Sequence, residues 1–545
     1  MSKSPTIVDS SGLPIKGSSF IGASDGFGGE LASWKASSQS IDSALLPTFD
    51  TANARASDLA RNHGYGKSGV QLHIDHIVGN QFKLVYKPNY RVLGITPEQA
   101  REFAKDVEAR FTDWAEDPDC YIDAERKRTF TMLMREGAGT HCKTGEITSK
   151  VEVIRGRGTP YLTSIKTVNY ARVCNPNGVM DSQRLRAGVR MNRHGAAVGY
   201  YVRKGYLSDY FWGNRDVNKW VYVPRYLPWG RQQFLHYFEP EDADQTRGVN
   251  NMLAAMSKMK MLEKFQSTTL QNAIINAMYA AVVESDMPSD EIFRALNGNE
   301  STNNLSKFMN LKSEWHDQTN ITLNGSKIAH LLPNEKLKMM GVNSPNASLN
   351  DFESGIVRYM AASLGVSYEQ LAKDFSKTNY SSARASILES YRYFMGKRAT
   401  IIARYATSVF ALWLEEAVNI GKVTLPGGGN FYDNKSAWTR SSWIGAGRSQ
   451  IDGLKEVKEA VLRIESGLST YEKECSLMGD DYIEIFDQQL REAKELEEQG
   501  RTPLWMNSQV AEDEGEDESD DDEEDEDKKT VDPANESPGV HEQNG

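Results

Sequence analysis

The chain has 545 residues, of which 39% are hydrophobic and 25% charged, an ordinary globular composition with length for several domains. Its net charge of −12 is local: residues 511–545 hold 17 Asp and Glu against two Lys, which leaves 61 basic and 58 acidic groups, a net of +3, in the first 510 residues. That near-neutral body lacks the basic excess of a tight nucleic-acid binder, and Cys120, Cys142, Cys174 and Cys475 form no CxxC pair and read as reduced thiols.

Residues 1–45 are rich in Ser and Gly ("GSSFIGASDGFGGE") and read as extended until packed on a partner. The N-terminus has no apolar core of a signal peptide. Residues 49–64 read as a helix stopped by Gly64. "GVQLHIDHIVGNQFKLVYKP" (69–88) alternates like a half-buried strand. A helix is expected over 97–115, opening at Pro97. Residues 145–210 read as strands and turns, with "EITSKVEVI", "TSIKTVNYARV" and "GYYVRKGYL" as strands, so the body is expected to be α+β.

From Asn250 the texture becomes helical. Met252, Met256, Met259 and Leu262 share one stripe, first a core face and second an adaptable subunit interface. Ser267-Thr268-Thr269 is a candidate break. Residues 286–350 are polar and irregular, and Asn324-Gly325 in "NITLNGSKIAHL" is a strong type I′ hairpin signal. Helices are expected at 351–366 and 382–420, the second ending at Gly421. "LPGGGN" breaks the chain, residues 451–500 return to helix, and the acidic tail reads as disordered. The uncharged run Thr268–Val283 is too short and too polar to span a membrane. The protein reads as soluble and cytoplasmic.

Chemistry motifs are weak. "GAGTHCKT" (Gly137–Thr144) approaches a phosphate-binding loop, but Cys142 stands where Gly should precede Lys, and a strand-like segment follows where a helix is needed. His73 and His76, in a strand, would point to opposite faces, which argues against a zinc site. "RGRG" (Arg155–Gly158) is unspecific, Asp480-Asp481 reads as a pair that solvates or caps a surface helix, and no GxSxG, HExxH or kinase set occurs. No catalytic, cofactor-binding or metal-ligating residue is assigned. The stretch "DFSKTNYSSARASILESYRYF" (374–394) is a Ser-, Thr- and Asn-rich loop running into a helix, with Ser381 or Ser382 expected as its N-cap.

Six separated patches carry a resemblance. The first is "ARASDLARNHGYGKSGVQLHIDHIVGNQFKL", with Arg55, Asp58, Leu59, Arg61, Asn62 and Gly79. Trp114 and Asp117 mark the second, and "RAGVRMNRHGAAVGYYVRK" is the third. His236, Phe238, Gln245, Arg247 and Gly248 match an "H-x-F … Q-x-R-G" signature. "YMAASLGVSYEQLAKDFSKTNYSSAR" holds Gly365, Tyr368, Glu369, Asp374 and Asn379–Arg384. "WIGAGRSQIDGLKEVKEA" has Ala446 and Gly453 where Pro is usual, a departure that touches only local turns. Over roughly Asp50 to Glu492 the chain resembles the lambda-type portal proteins of tailed bacteriophages.

The resemblance implies a ring-forming α+β portal fold and a dodecameric homo-oligomer at one capsid vertex. Its parts would be an N-terminal extension (1–48), an α+β wing (49–249), a wing and stem helix (250–285), a small clip with a β-hairpin (286–350), and a second stem helix (351–367). A tunnel loop (368–381), a long wing helix (382–420), a helical wing and crown region (421–510) and a disordered acidic tail (511–545) would follow. The ring would conduct double-stranded DNA during packaging and ejection. It would dock the terminase large subunit, which is the separate motor, and the head–tail adaptor, and it would sit against the major capsid protein. No membrane, cofactor or enzyme activity is implied. The location is the virion, and the host cytoplasm during assembly.

Lys377, Thr378, Asn379, Ser381 and Arg384 would face the DNA, and Asn324 and Gly325 would form the clip turn. Contact with DNA should be weak and sequence-independent, because every neutralised phosphate adds affinity and salt dependence. A helix cap alone, and a cap that also faces DNA, stand as two readings of the loop. Arg384 opposes the helix dipole in the first turn, so it calls for a phosphate or for a carboxylate such as Asp374 or Glu389. The alternative function class is a phage nuclease using clustered carboxylates and Mg²⁺.

Overall fold

The chain enters its first sheet through closely packed helices: α1 (Ile41–Leu45), α2 (Phe49–Asn62), α3 (Gly64–Ile77), α4 (Tyr90–Leu93), α5 (Pro97–Ala115) and α6 (Phe130–Thr144), with strand β1 (Lys83–Tyr86) after α3. The computed structural model describes residues 37–278 except 214, 282–285, 310, 314, 321–323, 326–328, 335–338, 348–448 except 377, 453–503 and 505. The chain divides into two units, one up to Tyr482 and one from Ile483.

Helix α5 begins where the sequence predicts. Thr96 Oγ1 accepts from the Gln99 N–H at 3.2 Å, Gln99 Oε1 accepts from the Thr96 N–H at 3.1 Å, and Pro97 takes the first helical position. Residues 69–88 depart from the expected strand. Most of the segment belongs to α3, because Gly66, Gly69, Val70, His73 and Ile77 repeat every three or four residues and are the buried set. Only Lys83–Tyr86 is extended. Helix α2 stops at Asn62, and Gly64 does not end it but opens α3; the chain turns at His63, whose Nδ1 accepts from the Gly66 N–H at 3.3 Å and caps that next helix.

The segment Gly137–Thr144 is the last half of α6 and not a loop. Gly139 lets α6 approach α3: a Cβ there would lie 2.9 Å from Ile74. The strands that follow are β2 (Glu146–Val153), β3 (Thr163–Thr167), β4 (Leu185–Arg186), β5 (Val189–Met191), β6 (Ala197–Arg203), β7 (Trp220–Pro224) and β8 (Phe234–Phe238). They form two antiparallel sheets, β3-β2-β8 and β4-β5-β6-β7.

Helix α7 (Met256–Met278) runs unbroken through Ser267-Thr268-Thr269. Met252, Met259 and Leu262 are buried within the chain and Met256 is partly buried, so the methionine stripe is a core face. Strands β9 (Val282–Ser285), β10 (Ile321–Leu323), β11 (Ser326–Ile328) and β12 (Glu335–Lys338) pair as β9-β12 and β10-β11. Leu323 stands opposite Ser326, the antiparallel register expected of the flanks of a two-residue turn. Asn324 and Gly325 themselves lie outside the described residues, as do the N-terminal extension up to residue 36 and the acidic tail.

The next elements are α8 (Ser348–Leu364), α9 (Tyr368–Ala372), α10 (Tyr380–Lys397), α11 (Ala403–Asn419), α12 (Lys435–Trp438), β13 (Ser441–Ile444), α13 (Gly453–Glu465), α14 (Tyr471–Met478) and α15 (Tyr482–Glu498). The expected helix 382–420 is present, but a π turn at Arg398–Ile402 interrupts it. There the buried Arg398 donates to the carbonyls of Ile77 (2.6 Å), His76 (2.9 Å) and Ala446 (2.7 Å). One guanidinium therefore satisfies the open carbonyls at the end of α3 and joins them to the chain after β13. Around these elements lies an aromatic core. Phe111 meets Phe130, Phe410 and Trp413 edge to face, each with centroids 5.3 Å apart.

Candidate functional site

The loop that enters α10 is built by local capping. Gly365, at φ +70°, ends α8, and a Cβ there would lie 2.7 Å from the Tyr393 ring. Ser367 and Gln370 form a capping box that starts α9, and Lys373, at φ +55°, ends it. Asp374 then accepts from the Ser376 N–H (3.1 Å) and from Ser376 Oγ (2.7 Å). Asn379 is extended, and its side chain accepts from the Ser382 N–H at 2.8 Å. The N-cap is therefore Asn379 and not Ser381 or Ser382. Helix α10 starts at Tyr380, two residues before the expected start, so both serines fall within its first turn.

Ser376, Asn379 and Ser381 are exposed, Thr378 is half-buried, and Lys377 lies outside the described residues. Arg384 finds a carboxylate, but neither of the two expected. Its Nη2 lies 3.4 Å from Oε2 of Glu459 in α13. Helix α13 follows 75 positions later, a separation that helix periodicity cannot bridge. The surface of the loop thus offers hydroxyl and amide groups beside the exposed Lys373, Asp374 and Phe375, with the Arg384 charge shared.

The signature around Arg247 forms a buried ion network. Arg247 is 0% exposed and clasps Glu146 at the start of β2, with Nε at 2.9 Å from Oε2 and Nη2 at 2.5 Å from Oε1. His236 Nε2 lies 3.0 Å from Glu146 Oε2, and the Gly248 N–H donates to the same oxygen at 3.2 Å. Arg247 also donates to the carbonyls of Val173, Ala187 and Tyr170, and its guanidinium sits 4.4 Å from the Phe49 ring centroid. Gln245 Nε2 donates to the Arg247 carbonyl at 2.7 Å, and Gln245 Oε1 accepts from the Glu241 N–H at 2.7 Å. Next to it, Thr246 bonds Asp42, which pairs with Arg186 at 2.9 Å. The network ties α1, α2 and both sheets together. Sequence reading singled out His236 and Arg247 but missed Glu146, whose partners stand 90 and 101 positions away.

Burial alone would raise the Glu146 carboxyl, but the Arg247 guanidinium and the His236 hydrogen bond outweigh it and hold the group well below the usual carboxylate range. Burial also holds His73 down at about 4 and His141 at about 3. The unfolded chain protonates both histidines below about pH 6.5, whereas the folded chain resists, so stability rises with pH in that window. Acidification from about pH 7 to 4.5 is expected to cost up to about 1.4 kcal/mol per histidine per pH unit. Below about pH 4.5 the loss of Glu146 ionisation acts in the same direction. Denaturant midpoints across this range test the sign, and His73→Gln should flatten the slope.

Several other signature residues make local contacts. Asp58 Oδ1 accepts from Asn62 Nδ2 at 2.6 Å, Leu59 is buried, and Arg61 Nε donates to the Ser57 carbonyl at 3.1 Å. Trp114 stacks on Trp413 with centroids 6.2 Å apart, and Asp117 accepts from the Asp119 N–H at 2.7 Å. His73 and His76 share α3, where His73 Nε2 meets the Leu364 carbonyl at 2.9 Å and His76 stacks on Phe394 at 5.0 Å. Among the described residues no group of three or more His, Cys, Asp or Glu is placed to hold a metal ion, and no helix is long and apolar enough to cross a membrane.

Comparison with known proteins covers most of the chain. The family described as phage portal protein, lambda family, matches residues 27–398. The portal protein of Escherichia phage N15 is 46% identical over 487 residues, spanning 88% of this chain and 91% of that protein. Portal protein B of Escherichia phage lambda is 44% identical over 490 residues, spanning 89% and 91%. Among solved structures, a chain in the neck of an empty gene transfer agent particle aligns with 78% of this chain and 93% of its own length, at TM-score 0.41 and 13% identity. One in the virion of the native particle aligns with 80% and 99%, at TM-score 0.40 and 12% identity. With the family match over more than half of its residues and two phage portal proteins matched along nine-tenths of theirs, this chain belongs to the lambda family of phage portal proteins.

Proposed function

We propose that the chain assembles as a ring, a dodecamer, at one capsid vertex and conducts double-stranded DNA during packaging and ejection. The observation that carries this reading is its 44–46% identity to two phage portal proteins over almost nine-tenths of its length. In this reading residues 286–350, with the turn at Asn324 and Gly325, form the clip that docks the terminase large subunit and then the head–tail adaptor. Residues 49–249 are the wing, which meets the major capsid protein, and the particle assembles in the host cytoplasm.

Residues 368–381 are the tunnel loop. Its chemistry suits DNA that must slide: exposed Ser376, Asn379 and Ser381 exchange hydrogen bonds with water and phosphate, and the Arg384 charge is shared with Glu459. Lys377, together with the exposed Lys373, then carries the electrostatic contact. Particles with Lys377→Ala are expected to assemble normally but to retain DNA less well, with the salt slope of DNA binding reduced by at most about one. Arg384→Ala should cost up to about 1 kcal/mol, as an exposed ion pair does, and Glu459→Ala more, because Glu459 also pairs with Arg463. Parental packaging and retention in both Lys377→Ala and Arg384→Ala particles would remove the DNA-facing role of these charges.

A further inference from the structure

Between the two sheets of the α+β region lies a cleft of about 350 Å³. Lys150, Lys166, Arg172, Arg203 and Lys204 line it, against the carboxylates of Glu152 and Asp216. Glu152 is bonded to Lys150 at 2.8 Å, and Asp216 pairs with Lys219 at 2.7 Å while also facing Lys204. The cleft therefore carries more positive charge than its own carboxylates balance.

Two further features favour an anion in this cleft. Lys150 and Lys166 stand directly opposite each other in the β2-β3 register, a like-charge pair that an antiparallel sheet disfavours. Arg203, at the end of β6, lies 5.0 Å over the Trp220 ring, and its Nε has no hydrogen-bond partner among the described residues. The half-buried Arg203 guanidinium lines the cleft, and an oxyanion is the acceptor that a guanidinium fork fits best. Arg172 holds the rim, donating to the carbonyls of Arg203 and Lys204, both at 2.9 Å.

We propose that this cleft is an anion site that takes phosphate oxygens, supplied either by free phosphate or by a nucleic-acid backbone. Arg203 and Lys166 bind the oxygens, and Lys204 adds charge at the mouth. The site is separate from the loop that enters α10 and does not depend on its role.

The full chain at low ionic strength is titrated with inorganic phosphate, with chloride at matched ionic strength as control. Calorimetry and the unfolding midpoint are both read. Phosphate is expected to give saturable heat and a rise in midpoint that chloride does not give. The Lys166→Gln, Lys204→Gln double variant should bind phosphate about tenfold or more weakly, since charge-assisted hydrogen bonds are lost. Its midpoint without phosphate should stay close to that of the parent, because relief of the Lys150–Lys166 repulsion offsets the lost attraction of Lys166 to Glu125 and of Lys204 to Asp216. Arg203→Lys keeps the charge but removes the fork, and should also weaken binding. Competition by a short DNA duplex identifies the backbone as the source, and its absence identifies free phosphate. A phosphate effect no larger than that of chloride, or one unchanged in both variants, overturns the site.

Discussion

Glu146→Gln is expected to destabilise the protein by about 3–5 kcal/mol, because it leaves the Arg247 guanidinium buried without its counter-charge. Arg247 is 0% exposed and clasps Glu146 through two nitrogens. No water can replace that carboxylate at full value in such a site. Arg247→Met is expected to cost a similar amount, since it strands Glu146 and frees the carbonyls of Tyr170, Val173 and Ala187. Combining both changes should cost less than the sum of the two by about 1–3 kcal/mol, since neither charge is then left alone. Equilibrium denaturation of the four proteins closes the cycle. Additive losses would show that the pair does not act as a unit.

Gly145→Ala should cost about 3 kcal/mol, combining an alanine held at left-handed backbone with overpacking. Gly145 ends α6 at φ +77°, and its N–H returns to the His141 carbonyl at 2.7 Å. A Cβ at this position would lie 2.2 Å from the Val249 carbonyl oxygen. The obstacle is backbone, so no side-chain rotation relieves it. The residue also leads directly into Glu146, so the strain is transmitted to the ion network. The contrasting control is Gly94→Ala, where the dihedral is also left-handed but no atom lies within 4 Å of the added Cβ. Only the backbone share, about 1–2 kcal/mol, should be lost there. Equal losses at the two positions would contradict the packing argument.

Neither Gly145 nor Glu146 stands out in the sequence, whereas elements with local signals do. Helix α5 could be read to the residue because Thr96, Pro97 and Gln99 are a local signal. The α+β body, the break at Asn250 and the pairing around Asn324-Gly325 also follow from local pattern. Helix α3 was misread because Val70, Leu72 and Ile74 alternate while the glycines that mark its buried face look like breakers. Gly66 and Gly69 are close-packing positions, where a Cβ would lie 2.6 Å from the Leu59 oxygen and 2.7 Å from Leu364. The cap of α10 was misplaced because a run of Asn, Ser and Ser offers several equivalent acceptors, and only the backbone direction at Asn379 selects one. The partners of Arg247, Arg384 and Arg398 were beyond sequence reading, since each lies dozens to hundreds of positions away. In the candidate loop the residue types were legible, but the sharing of the Arg384 charge with Glu459 was not.

The claim that this chain acts as a DNA-conducting ring is tested most directly by negative-stain imaging of the purified full chain, with plasmid cleavage in Mg²⁺ assayed on the same preparation. The account predicts rings with a central hole and intact plasmid. Particles without a ring that cut the plasmid only when Mg²⁺ is present would contradict it and favour a metal-dependent nuclease.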